Sequence, residues 1–305
     1  MGIEVKTLNR LVSNKPTMQK DLKNEKKSFW ANPEILEGAD AVIHLAGANV
    51  AEPWTKAHKN RILQSRIDGT EALVNAIAAC IHPPKKLIST SAIGYYPDPC
   101  FEILTEESHG SNSFLSNVCQ QWEKALYCAP LPLTDISVVR VGLVLATDSK
   151  IITASAMSYL LSGTVSIVGS KKNMWSWIHI HDLSNLFISL ANGDINFGIY
   201  NGVAPVPLEQ GNFGLTFERF PVIGQTIPKP VRRLKNIARK INKIWFGFRI
   251  IVPSWGIRLL WGERAQIALT NQNVSAQKTI HSGFVFQYPT IELALEALSK
   301  NNPND

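Results

Sequence analysis

The chain has 305 residues, of which 45% are hydrophobic, with a net charge of +7 and four cysteines. This length and apolar content are enough to bury the core of one large domain or two smaller ones. The cysteines are far apart and form no CxxC pair, so we expect neither a metal site nor a disulfide scaffold, and we predict a reducing, cytoplasmic location. No signal segment or membrane-spanning apolar run is recognisable.

The positive charge is concentrated in one segment. Ten Lys or Arg residues and no acid occur between Arg219 and Gly262, and subtracting these ten from +7 leaves −3 for the remainder. Residues 229–249 within this segment have the pattern of a basic amphipathic helix. A packed helix with solvated lysines is the preferred interpretation, followed by weak contact with an anionic membrane surface. No nucleic-acid-binding motif is present, so no specific nucleic-acid partner is predicted.

Apolar strand patterns alternate with helical patterns through the first half of the chain. We predict strands over 5–8, 41–46, 87–90 and 136–145, helices over about 56–80 and 114–127, and a loop or marginal helix over 11–28. This alternation indicates an α/β fold with a doubly wound parallel sheet. Ligands of such sheets bind beyond the carboxyl ends of the strands, which draws attention to the residues that follow each strand.

The second half has a less regular pattern. We predict a short strand and then a helix within 174–190, with Asp182 as the helix N-cap. A brief strand is expected at 199–201 and a terminal helix at 291–298.

Eight stretches, in one consistent order, carry a resemblance to a known family. They are ADAVIHLAGANV (39–50), SRIDGTEALVNAI (65–77), KKLISTSAIGYYPD (85–98), FLSNVCQQWEKA (114–125), VVRVGLVL (138–145), MWSWIHIHDL (174–183), GIYNGVAPVP (198–207) and SGFVFQYPTIELAL (282–295). Together they resemble the atypical, extended short-chain dehydrogenase/reductases of the bacterial and plastid epimerase family. The resemblance also allows a location in the plastid stroma, if the source is a photosynthetic eukaryote.

The resemblance implies a Rossmann-like domain over 1–146, to which 177–202 returns. A smaller α+β region on the substrate side is expected from 147–176 and 203–305. The family opens with a strand, a TGGTGFIG-like loop and a helix, whereas this sequence begins at what resembles the second strand. A start codon assigned too late is preferred over a true truncation, because a central strand and its pyrophosphate-binding helix are hard to lose.

The resemblance also assigns a cofactor site. Arg10 lies at a strand end expected to face the adenosine ribose, where an arginine favours a 2′-phosphate, so NADP is predicted and NAD is the less favoured cofactor. A solvated arginine is the alternative. Leu45, Ala46 and Gly47 resemble the turn that approaches the cofactor, although an ordinary tight turn has the same pattern. Ser89, for which packing is the alternative, and Arg140 complete the predicted cofactor contacts.

Ser91 corresponds to the serine that binds the substrate oxygen in catalytic relatives, with simple strand capping as the alternative. The family's Tyr-x-x-x-Lys pair would fall at Leu115 and Cys119, and neither residue can do its chemistry. Tyrosine catalysis from this helix is therefore not predicted. Tyr95 could present a phenol to the same site, with aromatic packing as the alternative.

His179 could act as an acid or base if it titrates near neutral pH, or it could fix its loop. The substrate-side residues implied by the resemblance are Tyr96, Trp177 and Asn201. The leading functional hypothesis is an NADP-dependent oxidoreductase or nucleotide-sugar-epimerase-like protein with a small polar substrate. The alternatives are a non-catalytic NADP-binding sensor or scaffold, and a degenerate member that binds no dinucleotide.

Overall fold

A computed structural model describes residues 4–7, 32–162, 165–222 and 251–300, without the side chains of 160–162. The helices are α1 (Pro33–Leu36), α2 (Lys56–Ala78), α3 (Phe114–Ala125), α4 (Lys150–Ser162), α5 (Ile180–Asn192), α6 (Gln210–Arg219), α7 (Ser254–Trp261), α8 (Gln277–His281) and α9 (Ile291–Lys300). The strands are β1 (Ala41–His44), β2 (Lys86–Ala92), β3 (Ile103–Leu104), β4 (Asp135–Val141), β5 (Leu143–Leu145), β6 (Ile167–Val168), β7 (Met174–Trp175), β8 (Trp177–His179), β9 (Ile199–Gly202), β10 (Leu208–Glu209), β11 (Ile251–Val252) and β12 (Asn273–Val274).

Four parallel strands form the central sheet, in the order β1-β2-β4-β9. Helices cover both faces of this sheet. Successive side chains of β2 point to opposite faces, so neighbouring residues show which helix packs on each face. Leu87 packs with Val74 of α2 on one face, and Ile88 packs with Leu186 of α5 on the other. The predicted doubly wound parallel sheet is therefore confirmed.

The two helices on the first face begin at side-chain caps that the sequence specifies. Thr55 Oγ1 accepts a hydrogen bond from the backbone N–H of His58 at the start of α2, at 3.1 Å. Ser113 Oγ accepts from the N–H of Ser116 at the start of α3, at 3.2 Å. Both caps satisfy donors that have no partner within the helix. The predicted helices over 56–80 and 114–127 are confirmed, and they end slightly earlier than expected.

The strand predicted over 136–145 is divided at Gly142. Its first part belongs to the central sheet, while β5 pairs with β8 in a separate two-stranded sheet. A Cβ atom at Gly142 would lie 2.5 Å from the carbonyl oxygen of Ser176, so only glycine allows this close approach. The apolar pattern continued across the break, which is why the sequence predicted one strand.

Asp182 is not the N-cap of α5. That place belongs to His179, whose Nδ1 accepts from the N–H of His181, and Asp182 lies buried in the first turn. The Asp182 carboxylate accepts from the backbone N–H groups of Gln287 and Tyr288, at 2.8 and 2.9 Å. It thus joins α5 to the C-terminal region instead of capping its own helix.

The prediction of a strand over 5–8 is wrong for residues 5–7, since these residues form neither a helix nor a strand. Arg10, the segment 11–28 and the basic segment 229–249 lie outside the described residues. The strand at 199–201 and the terminal helix are confirmed, and α9 packs into a C-terminal core that includes Trp175, Phe213 and Leu295. None of the helices described by the structure is long and apolar enough to cross a membrane.

Candidate functional site

Three polar side chains lie side by side at the carboxyl ends of the central strands. Ser91 of β2 is paired in register with Arg140 of β4, and Arg140 is paired with Asn201 of β9. Each of the three is at most 3% exposed. Buried polar groups are costly unless they are hydrogen-bonded, so this row requires partners from the surrounding elements.

Glu123 of α3 is the main partner of Arg140. The guanidinium Nε and Nη2 donate to the two carboxylate oxygens at 2.9 and 2.8 Å. Burial by itself would lower the pKa of Arg140, but the hydrogen bonds and charge of Glu123 outweigh it and raise the pKa. The Nη1 group donates to the Tyr96 hydroxyl and to the carbonyl of Glu106, both at 3.1 Å. These inward contacts argue against the predicted cofactor contact of Arg140.

Tyr96 and Asn201 extend the same network away from the surface. The Tyr96 hydroxyl donates to Asn201 Oδ1 at 2.7 Å, and burial raises the Tyr96 pKa to about 12. Asn201 Nδ2 donates to the carbonyl of Ser275, and its backbone N–H donates to Glu106 Oε1. Both residues were predicted to face substrate, but the Tyr96 hydroxyl and the Asn201 side-chain amide are hydrogen-bonded to other groups of the protein. Their contacts instead join the sheet to the C-terminal region.

Ser91 is the member of the row that borders α3. Its Oγ donates to Glu123 Oε1 at 2.6 Å, so the carboxylate fixes the orientation of the hydroxyl. The neighbouring Cys119 thiol is 4% exposed. The Cys119 pKa is raised to about 11, mainly by burial and also by the charge of Glu123, while Ser91 and the charge of Arg66 act in the opposite direction. Cys119 is therefore a neutral thiol and not a nucleophile.

Tyr95 is half-buried and is the last residue of the short 3-10 turn (Ile93–Tyr95) that follows β2. The Arg140 guanidinium carbon lies 3.5 Å from the centroid of the Tyr95 ring, and Tyr96 packs edge-on against the same ring. Among the described residues, no hydrogen-bond partner of the Tyr95 hydroxyl is found. The ring is held firmly while the phenol oxygen remains available.

The loop after β1 is exposed at all three predicted cofactor residues, Leu45, Ala46 and Gly47. The guanidinium of Arg66, from α2, lies directly beneath it. A Cβ atom at Gly47 would be 2.9 Å from the guanidinium carbon, so a side chain at this position would require the guanidinium to shift. Ser89, the other predicted contact, is fully buried within β2 and its hydroxyl donates to the carbonyl of Thr90. The packing alternative therefore describes Ser89 better.

The C-terminal region reaches the same edge of the sheet. Lys59 of α2 forms an ion pair with Glu263 at 2.6 Å, and Arg264 Nη1 donates to the carbonyl of Ala51 at 3.2 Å. These contacts place the residues that follow α7 beside the loop after β1. Two surface hollows of about 410 and 240 Å³ lie elsewhere, beside α5 and at the amino ends of β2 and β4.

The remaining predicted residues, Trp177 and His179, are internal. Trp177 is 1% exposed in the C-terminal core, and its Nε1 donates to the carbonyl of Val206. The prediction that Trp177 faces substrate therefore has no support in this placement.

His179 is fully buried, and burial, together with the charge of His181, lowers its pKa to about 4. The expected titration of His179 near neutral pH is wrong, and the loop-fixing alternative agrees with its N-cap position.

Comparison with known proteins identifies the family of the chain. Residues 1–120 match the model of the NAD dependent epimerase/dehydratase family, and residues 252–298 match a domain of unknown function, DUF1731. An epimerase family protein of Staphylococcus aureus is 31% identical over 280 residues, which cover 91% of this chain and 84% of the relative. The chain belongs to the epimerase family. It is an NAD(P)-binding protein of the short-chain dehydrogenase/reductase type.

Solved structures agree with this membership of the epimerase family. A human epimerase family protein (isoform 2), solved with NADPH, has a TM-score of 0.73 at 26% identity, covering 87% of this chain and 83% of that one. A nucleoside-diphosphate sugar epimerase of Corynebacterium glutamicum has a TM-score of 0.64 at 23% identity, covering 91% of this chain and 50% of that one. The second likeness concerns the fold alone.

Two residues of the strand-end edge did not appear among the predicted site residues, namely Glu123 and Arg66. A signal was available for both. Glu123 follows the buried Cys119 by four residues on α3, and Arg66 follows the buried Ile62 by four residues on α2. A charged residue on the buried side of an amphipathic helix indicates a specific partner, because an unpaired charge there would be costly.

Proposed function

We propose that the chain is an NADP-dependent oxidoreductase or epimerase that acts on a hydroxyl-bearing, small polar molecule such as a nucleotide sugar. The observation that carries the proposal is the placement of Ser91, oriented by Glu123, at the strand-end edge that also holds the exposed loop 45–47. In parallel α/β sheets this edge is where ligands bind.

The residues at this edge fit a dinucleotide. The exposed backbone of Leu45–Gly47 allows close approach of a sugar, and the nearby guanidinium of Arg66 offers positive charge to phosphate oxygens. When bound, the nicotinamide would supply the hydride chemistry. The preference for NADP rests on Arg10, whose positive charge suits a 2′-phosphate better than a free hydroxyl.

Ser91 is proposed to accept a hydrogen bond from the substrate hydroxyl. Its own proton is directed at Glu123, so the lone pairs of Oγ point away from that carboxylate, and the Cys119 thiol is a second neighbour of the hydroxyl. Tyr95 is proposed to exchange the proton of the reacting oxygen, because its phenol is held by Arg140 without a hydrogen-bond partner among the described residues. This arrangement would replace a tyrosine on α3, where Leu115 stands.

Binding of NADPH and NADH, followed by fluorescence and by thermal unfolding, tests the proposal. A ligand at a hundred times its dissociation constant stabilises the folded state by about 2.7 kcal/mol, which is readily measured. We expect a larger shift with NADPH than with NADH, and a loss of this difference in Arg10→Ala. Equal responses would remove the NADP preference, and no response to either dinucleotide would overturn the proposal.

Turnover is tested separately with NADP⁺ or NADPH and a panel of nucleotide sugars. Ser91→Ala should reduce turnover strongly while leaving NADPH binding unchanged. Ser137→Ala is the matched control, because Ser137 is a buried serine near the amino end of the adjacent β4. Equal loss in both variants would show that the effect of Ser91→Ala is structural.

A further inference from the structure

The guanidinium of Arg66 is held at the strand-end edge by two hydrogen bonds and an aromatic ring. Nη1 donates to the carbonyl of Ala48 at 3.1 Å and to that of Ile62 at 3.0 Å. The guanidinium carbon lies 4.8 Å from the centroid of the Trp122 ring, and Gly47 approaches it from the loop. Fixing an arginine in this way reduces the entropy that it would lose on binding a ligand.

The positive charge of Arg66 has no carboxylate partner among the described residues. Two other basic residues of the same helix do have one: the exposed Arg61 pairs with Glu52 at 2.7 Å, and the half-buried Lys59 pairs with Glu263. Burial lowers the pKa of Arg66, which means that the protein environment holds this charge at a cost. Both recorded hydrogen bonds use Nη1 and neutral carbonyls, so donors remain for an external anion.

We propose that Arg66 is the anion-binding residue of the strand-end edge, taking a phosphate or carboxylate oxygen of the bound small molecule between the loop 45–48 and α3. The anionic oxygen can come from the dinucleotide or from the substrate. The proposal deepens the proposed function and rests on it for the position of the ligand. It also explains the pairing of Gly47 with Arg66, since a side chain at residue 47 would displace the guanidinium.

The test compares Arg66→Gln and Arg66→Lys with the control Arg61→Gln, which removes the same charge from an exposed position on α2. Affinities for NADPH, inorganic pyrophosphate and a nucleotide sugar are measured by calorimetry. Loss of a charge-assisted hydrogen bond should weaken the anion that Arg66 binds about 10- to 100-fold. Arg66→Lys should retain part of the affinity, and Arg61→Gln should change it less than about twofold.

The results distinguish the source of the anion. Weaker NADPH binding in Arg66→Gln assigns the residue to the dinucleotide, whereas weaker binding of only the nucleotide sugar assigns it to the substrate. The proposed function would be refuted if the wild-type protein bound pyrophosphate through Arg66 but bound no dinucleotide. The anion site itself would still be supported by that result. Unchanged affinities for all three probes would overturn the anion site itself.

A second measurement covers the case in which Arg66→Gln fails to fold. Wild-type protein is treated with phenylglyoxal, which modifies arginines, and the modified residues are located by mass spectrometry. Pyrophosphate or NADPH should protect Arg66 while leaving the modification of Arg61 unchanged. The proposal would be refuted if none of NADPH, pyrophosphate and the nucleotide sugar reduced the modification of Arg66.

Discussion

Replacing Glu123 by glutamine should destabilise the protein strongly. Arg140 is 3% exposed and Glu123 is 12% exposed, so the ion pair is largely shielded from water. Removing one partner of such a pair leaves the other charge buried and uncompensated, at a cost of about 3–5 kcal/mol. Glutamine preserves the shape of Glu123 but presents an N–H₂ group toward Arg140, which itself only donates hydrogen bonds. Ser91 also loses the charged acceptor of its hydroxyl.

The free energy of unfolding is measured by urea denaturation, with fluorescence and circular dichroism as independent probes. The control is Glu296→Gln, since Glu296 forms an exposed pair with Lys300 in α9 and should contribute less than about 1 kcal/mol. The double variant Glu123→Gln/Arg140→Met removes the stranded charge and should recover part of the loss. A loss below about 1 kcal/mol in Glu123→Gln would refute the account of this pair.

Three further outcomes are expected. Gly47→Ala should weaken the binding of the anion that Arg66 holds several-fold by displacing the guanidinium, while lowering stability by less than about 1 kcal/mol, since the end of the arginine side chain can move; unchanged affinities for NADPH, pyrophosphate and a nucleotide sugar in calorimetric titrations would contradict this. His179 has a pKa of about 4 when folded against an ordinary 6.5, so the unfolded chain binds the extra proton between these values. Stability should therefore fall as pH is lowered through that window, by about 3 kcal/mol at most, and His179→Gln should remove this component of the pH dependence of the unfolding free energy, measured by urea denaturation at several pH values; the same pH dependence in the wild type and the variant would argue against it. Cys119 should resist a thiol reagent in the native protein at pH 8 while exposed Cys128 reacts, because the Cys119 thiol is buried with a pKa of about 11; rapid native labelling of Cys119 would show that this thiol is accessible.

The placement of His179 shows the limit of motif reasoning. Its position in the segment 174–183, which resembles the family, and the chemistry of histidine indicated an acid/base role. The sequence contains no information on burial at this level, because burial depends on α5 packing against the sheet and on Tyr288, whose ring centroid lies 3.9 Å from that of His179. Burial through tertiary packing is the main cause of the lowered His179 pKa, and the charge of the neighbouring His181 adds to it.

Arg140 shows the same limit of motif reasoning for a charged residue. A strand-end arginine predicted a cofactor contact, whereas the structure directs its donors at Glu123, Tyr96 and Glu106. These partners come from α3 and from segments far apart in the sequence. Strand order and helix packing decide which charged residues meet across such distances in the sequence. A local motif specifies neither of them.

By itself the sequence determined the type and approximate bounds of the main elements of the parallel sheet, because apolar periodicity and helix caps such as Thr55 and Ser113 are local properties. It also determined the family, since eight segments occur in one order. Which polar residues face inward and which remain available depends on tertiary contacts, as the contrast between Arg140 and Arg66 shows. The physical reason is that a charge must be paired or solvated, and its possible partners are set by long-range packing.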